Sequence, residues 1–127
     1  MESSVSLEDW ASAYIAAYSS DNDLSPDDPL WWAFERSLLV LRRDASEEIW
    51  QFVLTVLAKG PPQSVLGNLS AGPLEDLIAY EGSRFIDRIE QLARRDPAFR
   101  HLLGGVWQNR TPPDIWRRVE LARGASW

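Results

Sequence analysis

The chain contains one histidine, His101, and no cysteine. A general base working near neutral pH is usually a histidine or a carboxylate with a raised pKa, so the search for chemistry starts with this residue. His101 stands beside the apolar stripe of Phe99, Leu102 and Leu103, with no metal-ligand spacing and no nucleophile motif near it. It reads as a boundary histidine without a catalytic task. The missing cysteine excludes disulfides, thiolate catalysis and cysteine-based metal sites together. The acids Asp21, Asp23, Asp27 and Asp28, with Ser25 among them, invite a calcium loop. An EF-hand needs glycine at its sixth place and glutamate at its twelfth. Counted from Asp21, those places hold Pro26 and Trp32, so the segment reads as a solvated loop that ends in a helix cap.

Two further carboxylate pairs could do acid–base work. Glu75 and Asp76 follow Pro73-Leu74, where acids in a first turn favour the helix dipole. Asp87 and Glu90 lie one turn apart on an outer face, and Glu90 is spaced to pair with Arg94. A di-iron bundle would need helical Glu-x-x-His motifs, and none occurs. All four are assigned to capping and surface pairing. Asn68-Leu69-Ser70 matches a glycosylation acceptor but stands without a secretion signal. Gly104-Gly105 lacks the Lys-Ser/Thr that grips phosphate, and reads as a close packing contact or a break before Trp107. No catalytic, cofactor-binding or metal-binding residue is therefore expected, and the chain reads as a non-enzyme without a cofactor.

The elements that would position these residues are helices. Apolar residues recur at helical spacing almost everywhere, with no two-residue alternation. Ser6 caps a first helix whose stripe is Leu7, Trp10, Ala11, Tyr14, Ile15 and Tyr18. After the acidic loop, Asp28 caps a second helix with Pro29 at its first position. That helix, Leu30 to Leu41, is apolar on most of its circumference and is expected at the bundle centre. Arg42-Arg43-Asp44 ends one helix and caps the next, and Arg94-Arg95-Asp96 repeats the device. The third helix buries Ile49, Phe52, Val53, Val56 and Leu57, and stops at Gly60-Pro61-Pro62. A short segment over 64–69 leads to Gly72-Pro73, where another helix starts and is broken at Gly82. Phe85, Ile86, Ile89, Leu92 and Ala93 form the next stripe, then Phe99, Leu102, Leu103 and Val106. Thr111-Pro112-Pro113-Asp114 caps a last helix with Ile115, Trp116, Val119 and Ala122 inward.

The expected fold is all-α: a compact bundle or short helical-hairpin array of seven to eight short helices in one domain, residues 1–127. With 45% apolar residues and seven tryptophans, the chain has enough material for a core of its own. Trp10, Trp50, Trp107 and Trp116 fall on or beside core stripes; Trp31 and Trp32 are adjacent, about 100° apart on a helix. No apolar stretch approaches the ~18 residues of a membrane span. No basic flank or apolar leader marks the start, so the expected location is cytoplasmic and away from membranes.

Gly72-Pro73-Leu74-Glu75-Asp76-Leu77-Ile78, then Phe85-Ile86-Asp87-Arg88-Ile89-Glu90, Asp96-Pro97-Ala98-Phe99 and Val106-Trp107 form a succession with a pattern of its own. It resembles an uncharacterised family of small bacterial helical proteins, a domain of unknown function. Leu30-Trp31-Trp32-Ala33-Phe34-Glu35 and Ile115-Trp116 fit the same pattern. The resemblance covers residues 28–123, with 1–27 as an N-terminal helix and acidic loop. It implies a helical fold and a bacterial or phage origin, and carries over no catalytic residue.

Charge is the remaining signal. The net charge is −6, and the first 35 residues hold eight acids and no Lys or Arg. Twelve of the thirteen basic residues are arginine, which reflects a GC-rich genome, because an arginine-driven nucleic-acid binder would be net basic. The expected function is non-catalytic: an interaction protein that binds and inhibits a protein partner with a basic surface, as an immunity protein or anti-defence inhibitor does, without touching nucleic acid directly. An adaptor subunit, or an enzyme with a carboxylate pocket, is the alternative. The expected contacts are Glu8, Asp9, Asp21, Asp23, Asp27 and Asp28, which lie off the apolar stripes.

Overall fold

The computed structural model describes residues 6–19, 24–38 and 45–127. Its helices are α1 (Leu7–Tyr18), α2 (Trp31–Ser37), α3 (Ser46–Ala58), α4 (Gln63–Leu69), α5 (Glu75–Arg95), α6 (Pro97–Leu103) and α7 (Pro113–Ala122), with a π-turn at Ser70–Leu74 joining α4 to α5. No strand occurs among the described residues. The run 63–95 is continuous, so these elements make six helical bodies where seven to eight were expected. Neither Gly72-Pro73 nor Gly82 ends the helix. The π-turn absorbs the proline, and at Glu81 the axis kinks (φ −132°, ψ 23°) without stopping. Gly82 is small because α7 crosses it: a Cβ there would lie 2.9 Å from Ile115 Cγ2.

Two tryptophans organise the core. Trp10 of α1 stacks on Phe52 of α3, ring centroids 3.8 Å apart, and its indole N–H donates to the Ala33 carbonyl of α2 at 2.8 Å. The guanidinium of Arg36 covers the same ring at 4.3 Å. Trp50 of α3 contacts Phe85 of α5 and Phe99 of α6, each at 5.7 Å. Bonding the buried indole N–H of Trp10 removes the penalty of desolvating it, while both rings contribute large apolar area.

α2 is not the centre of the bundle. Only Ala33 and Ser37 are buried in it; Trp31 and Trp32 are half-buried and Leu38 is exposed. The centre is α3 with α5, whose stripes are longer. The expected residues Leu39, Val40 and Leu41, and the Arg42-Arg43-Asp44 cap, lie outside the described residues.

The caps divide cleanly. Ser6 Oγ accepts from the Asp9 N–H at 3.0 Å, and Asp96 Oδ1 accepts from Ala98 and Phe99 N–H at 3.0 and 3.3 Å, as their positions predict. Asp28 stands two residues before the cap position, Leu30. Its Oδ1 accepts from Leu30 N–H in a turn, and α2 starts only at Trp31. Thr111 caps nothing: α7 begins at Pro113 behind Pro112, and the Thr111 hydroxyl is buried without a protein hydrogen bond. With two prolines following Thr111, the N2 N–H that a Thr111 cap could bind is missing, and Pro112 takes the cap position instead.

Gly104 and Gly105 make room for the last residue. Trp127 N–H donates to the Gly104 carbonyl at 2.9 Å, its indole N–H donates to the His101 carbonyl at 2.7 Å, and its ring stacks on His101. A Cβ on Gly105 would sit 2.6 Å from the Trp127 ring and 2.9 Å from Ser70 Cβ. Gly105→Ala should destabilise the fold by about 1–3 kcal/mol through overpacking. Gly67→Ala, on a helix with nothing within 4 Å of its Cβ, should be neutral or add up to about 1 kcal/mol. Urea denaturation of both variants measures the contrast; equal midpoints would refute it.

Candidate functional site

Pro73 sits inside helix and cannot donate a backbone hydrogen bond. The chain widens by one residue there, so that Glu75 N–H reaches the Ser70 carbonyl. Ser70, Pro73 and Leu74 are buried, and Ser70 Oγ donates to the Leu102 carbonyl at 2.8 Å, fixing the turn to α6. Residues after the turn are rotated relative to an unbroken α-helix. This rotation decides where Glu75 and Asp76 stand.

Glu75 is 9% exposed. Its Oε1 accepts from the Trp107 backbone N–H and its Oε2 from Asn109 Nδ2, both at 3.1 Å. Because α4 and α5 are continuous, Glu75 has no free helix N-terminus to cap, and the capping role expected for it is wrong. It holds instead the loop after α6. Asn109 adopts a left-handed backbone (φ 48°), which asparagine tolerates better than most residues. The loop's base is thereby fixed, yet the Trp107 side chain is 71% exposed. Trp107 does not join the core stripe expected of it. Its indole stands between two open hollows, one of about 390 Å³ lined by Ala71, Glu75, Trp107 and Asn109 and one of about 220 Å³ that includes Trp116 and Arg123. Tyr80, also exposed, accepts a hydrogen bond from Arg110 of the same loop at 3.2 Å.

Asp76 faces the other way, into a hollow of about 150 Å³ with Tyr14, Tyr18 and Asn68. Burial, and secondarily the charge of Glu75, holds its carboxyl above the usual carboxylate range. It too makes no helix cap.

The other sequence candidates lie apart from this loop. His101 is exposed and stacked on Trp127. Glu8 is exposed and paired with Lys59 at 2.6 Å, Asp9 and Asp27 are exposed, and Asp28 is half-buried in its turn. Asp21 and Asp23 lie outside the described residues. Among the described residues, no group of three or more His, Asp or Glu is arranged to hold a metal ion. No helix among the described residues is long and apolar enough to cross a membrane. Glu90 does not pair with Arg94. Arg118 of α7 reaches across instead, bonding Glu90 at 2.7 and 2.9 Å and Asp87 at 2.6 Å. These bonds from Arg118 hold the Glu90 carboxyl below its usual range. A similar clamp joins Arg88 to Glu47 through two bonds, 2.7 and 2.8 Å, and with Gln51 lowers Glu47 to about 2.

Sequence reasoning missed Glu75, Trp107, Asn109 and Tyr80 as one unit. The available signal was the proline inside an otherwise helical run, followed at once by two acids. It marks a distorted turn with carboxylates on it, but not what they face.

A family described as "Family of unknown function (DUF6869)" matches residues 20–126, a wider span than the 28–123 expected from the motifs. No curated protein and no solved structure matches the chain.

Removing the carboxylate tests the loop's anchorage. Glu75→Ala should cost about 2 kcal/mol or more, since bonds to a charged acceptor are worth ~1.5–3 kcal/mol each, and should speed amide exchange at Trp107. Unchanged exchange there would refute the anchoring role. The Glu47 clamp carries a pH signature. Its folded pKa of about 2 lies below its ordinary 4.5, so its contribution is full above pH 4.5 and is lost as pH falls towards 2. The pair is largely exposed, so the contribution is a few tenths to about 1 kcal/mol. Glu47→Gln should be less stable than the parent at pH 7, and the gap should narrow as pH falls from 4.5 to 2 in urea melts; a gap independent of pH would contradict this assignment.

Proposed function

The chain belongs to DUF6869, a family of unknown function, and we propose that it is a non-catalytic interaction protein that grips a protein partner through Trp107 and inhibits it. The observation that carries this reading is a large indole left 71% exposed on a backbone pinned by a buried carboxylate. An exposed tryptophan on a mobile loop must be ordered when it binds, at a cost in entropy. Here the loop base is already ordered, which favours an anchor residue. Tryptophan, tyrosine and arginine are the residue types that dominate binding hot spots. Trp107 and Arg110 belong to the same loop, and Arg110 is bonded to Tyr80.

The acidic N-terminal third has a different task in this proposal. Glu8, Asp9 and Asp27 are exposed, and with Asp21, Asp23 and Asp28 they belong to a segment free of basic residues. Such a field speeds encounter with a basic partner but adds little affinity per charge. Steering belongs to the acids and holding belongs to Trp107. The inhibitor, of immunity-protein or anti-defence type, rests on this acidity; an adaptor would share the anchor and leave its partner active.

Trp107→Ala should leave the melting temperature unchanged and weaken partner affinity by about 30-fold, the ~2 kcal/mol of a hot-spot truncation. The measurement is capture of the partner by parent and variant, followed by titration of the purified pair. Equal affinity would place the contact elsewhere. Loss of the partner's activity at one equivalent supports inhibition; full activity in the complex makes the chain an adaptor. Neutralising the six acids to Asn or Gln should slow association and remove its salt dependence without changing the fold. An unaltered association rate would exclude steering by this segment.

A further inference from the structure

We infer that the hollow between Glu75 and Trp107 receives the guanidinium of an arginine side chain presented by the protein partner. The inference deepens the reading of Trp107 as an anchor and rests on it. Its starting point is a mismatch of charge. Glu75 is buried, yet among the described residues its hydrogen-bond donors are neutral: a backbone N–H and a carboxamide. No Lys, Arg or His forms an ion pair with it among the described residues. Arg110, the cation of the same loop, is bonded to Tyr80 instead. Buried charges are ordinarily paired, because removing an ion from water is costly unless an opposite charge compensates. Glu75 is one of the four residues that line an open hollow of about 390 Å³.

The remaining lining specifies the cation. Each carboxylate oxygen uses one acceptor position on the loop and keeps another. Asn109 spends its Nδ2 on Glu75, which leaves Oδ1 as an acceptor on the same wall. The Trp107 indole supplies an exposed aromatic face. A planar, weakly hydrated guanidinium can stack on an indole while its edge donates to a carboxylate and an amide oxygen, and a compact, strongly hydrated ammonium does this less well. The hollow is open and lined by four residues, whereas sites for free small molecules enclose most of the ligand. The guanidinium is therefore carried by a macromolecule that makes further contacts outside the hollow. A basic protein surface meets that need, and agrees in sign with the acidic field of the chain.

The test uses the full chain and two short peptides, Ac-Gly-Arg-Gly-NH2 and the same peptide with citrulline for arginine. Citrulline keeps the shape and removes the charge. Nuclear magnetic resonance follows the indole N–H of Trp107, assigned with Trp107→Phe, and the side-chain amide of Asn109. The arginine peptide should move both signals saturably, with at least about tenfold weaker binding of the citrulline peptide. Equal binding of the two peptides, or no movement of either signal, overturns the inference. Glu75→Gln, which keeps an acceptor for Trp107 N–H, should lose the preference for arginine; a preference retained in that variant also overturns it. If that variant does not fold, the comparison of peptides on the parent protein decides alone. Failure here is separable from failure of the anchor: a partner lost on Trp107→Ala, with no response to arginine peptide, leaves the anchor standing and removes the guanidinium.

Discussion

A proline in the middle of a helix sets most of what is particular about this molecule. Pro73 has no N–H, and its ring would crowd the carbonyl four residues back. The chain could have stopped and restarted, with a loop. It widens into a π-turn instead, because Ser70, Pro73 and Leu74 are buried and Ser70 is tied to α6. Preserving continuity denies Glu75 and Asp76 a helix terminus and turns them to different surroundings. One becomes the clasp of the α6–α7 loop; the other lies in a hollow beside Tyr14 and Tyr18. π-turns recur at functional sites because a local irregularity can aim side chains that a regular helix would misdirect.

Around this turn the fold is held by rings and by arginine clamps. Trp10 connects α1, α2 and α3, and Trp50 connects α3 to α5 and α6, so α3 belongs to both groups. Outside the core, Arg118 ties α7 to two acids of α5, and Arg88 ties α5 to Glu47 of α3. Each guanidinium spans helices and presents several donors at fixed angles, which suits it to set the relative position of neighbours rather than to add much stability.

Local signals in the sequence were reliable where the physics is local. Ser6 and Asp96 cap helices because a short polar side chain next to free N–H groups leaves little choice. The stripes of α3 and α5 face inward because their periodicity is long enough to define a face. The errors arise where a second chain segment decides. Gly82 looked like a breaker, but it is a crossing point for Ile115. The apolar α2 looked central, but longer stripes occupy the centre. Glu90 was given a partner on its own helix, while a fork from α7 outcompetes it. Glu75 and Trp107, 32 residues apart, meet by tertiary packing alone, and no spacing rule announces that encounter.

That same separation bears on when the surface around Trp107 comes into being. The bonds from Glu75 to Trp107 and Asn109, and from Ser70 to Leu102, close loops of 32 to 34 residues. Closing such loops costs chain entropy that local helix formation does not, so these contacts gain most once α5 and α6 have already formed and docked. Before that, the indole has no fixed base and the carboxylate no wall to stand in. A partner that gripped Trp107, as proposed, would thus discriminate between nascent and finished chains: the indole stands on its fixed base only in molecules whose folding is complete.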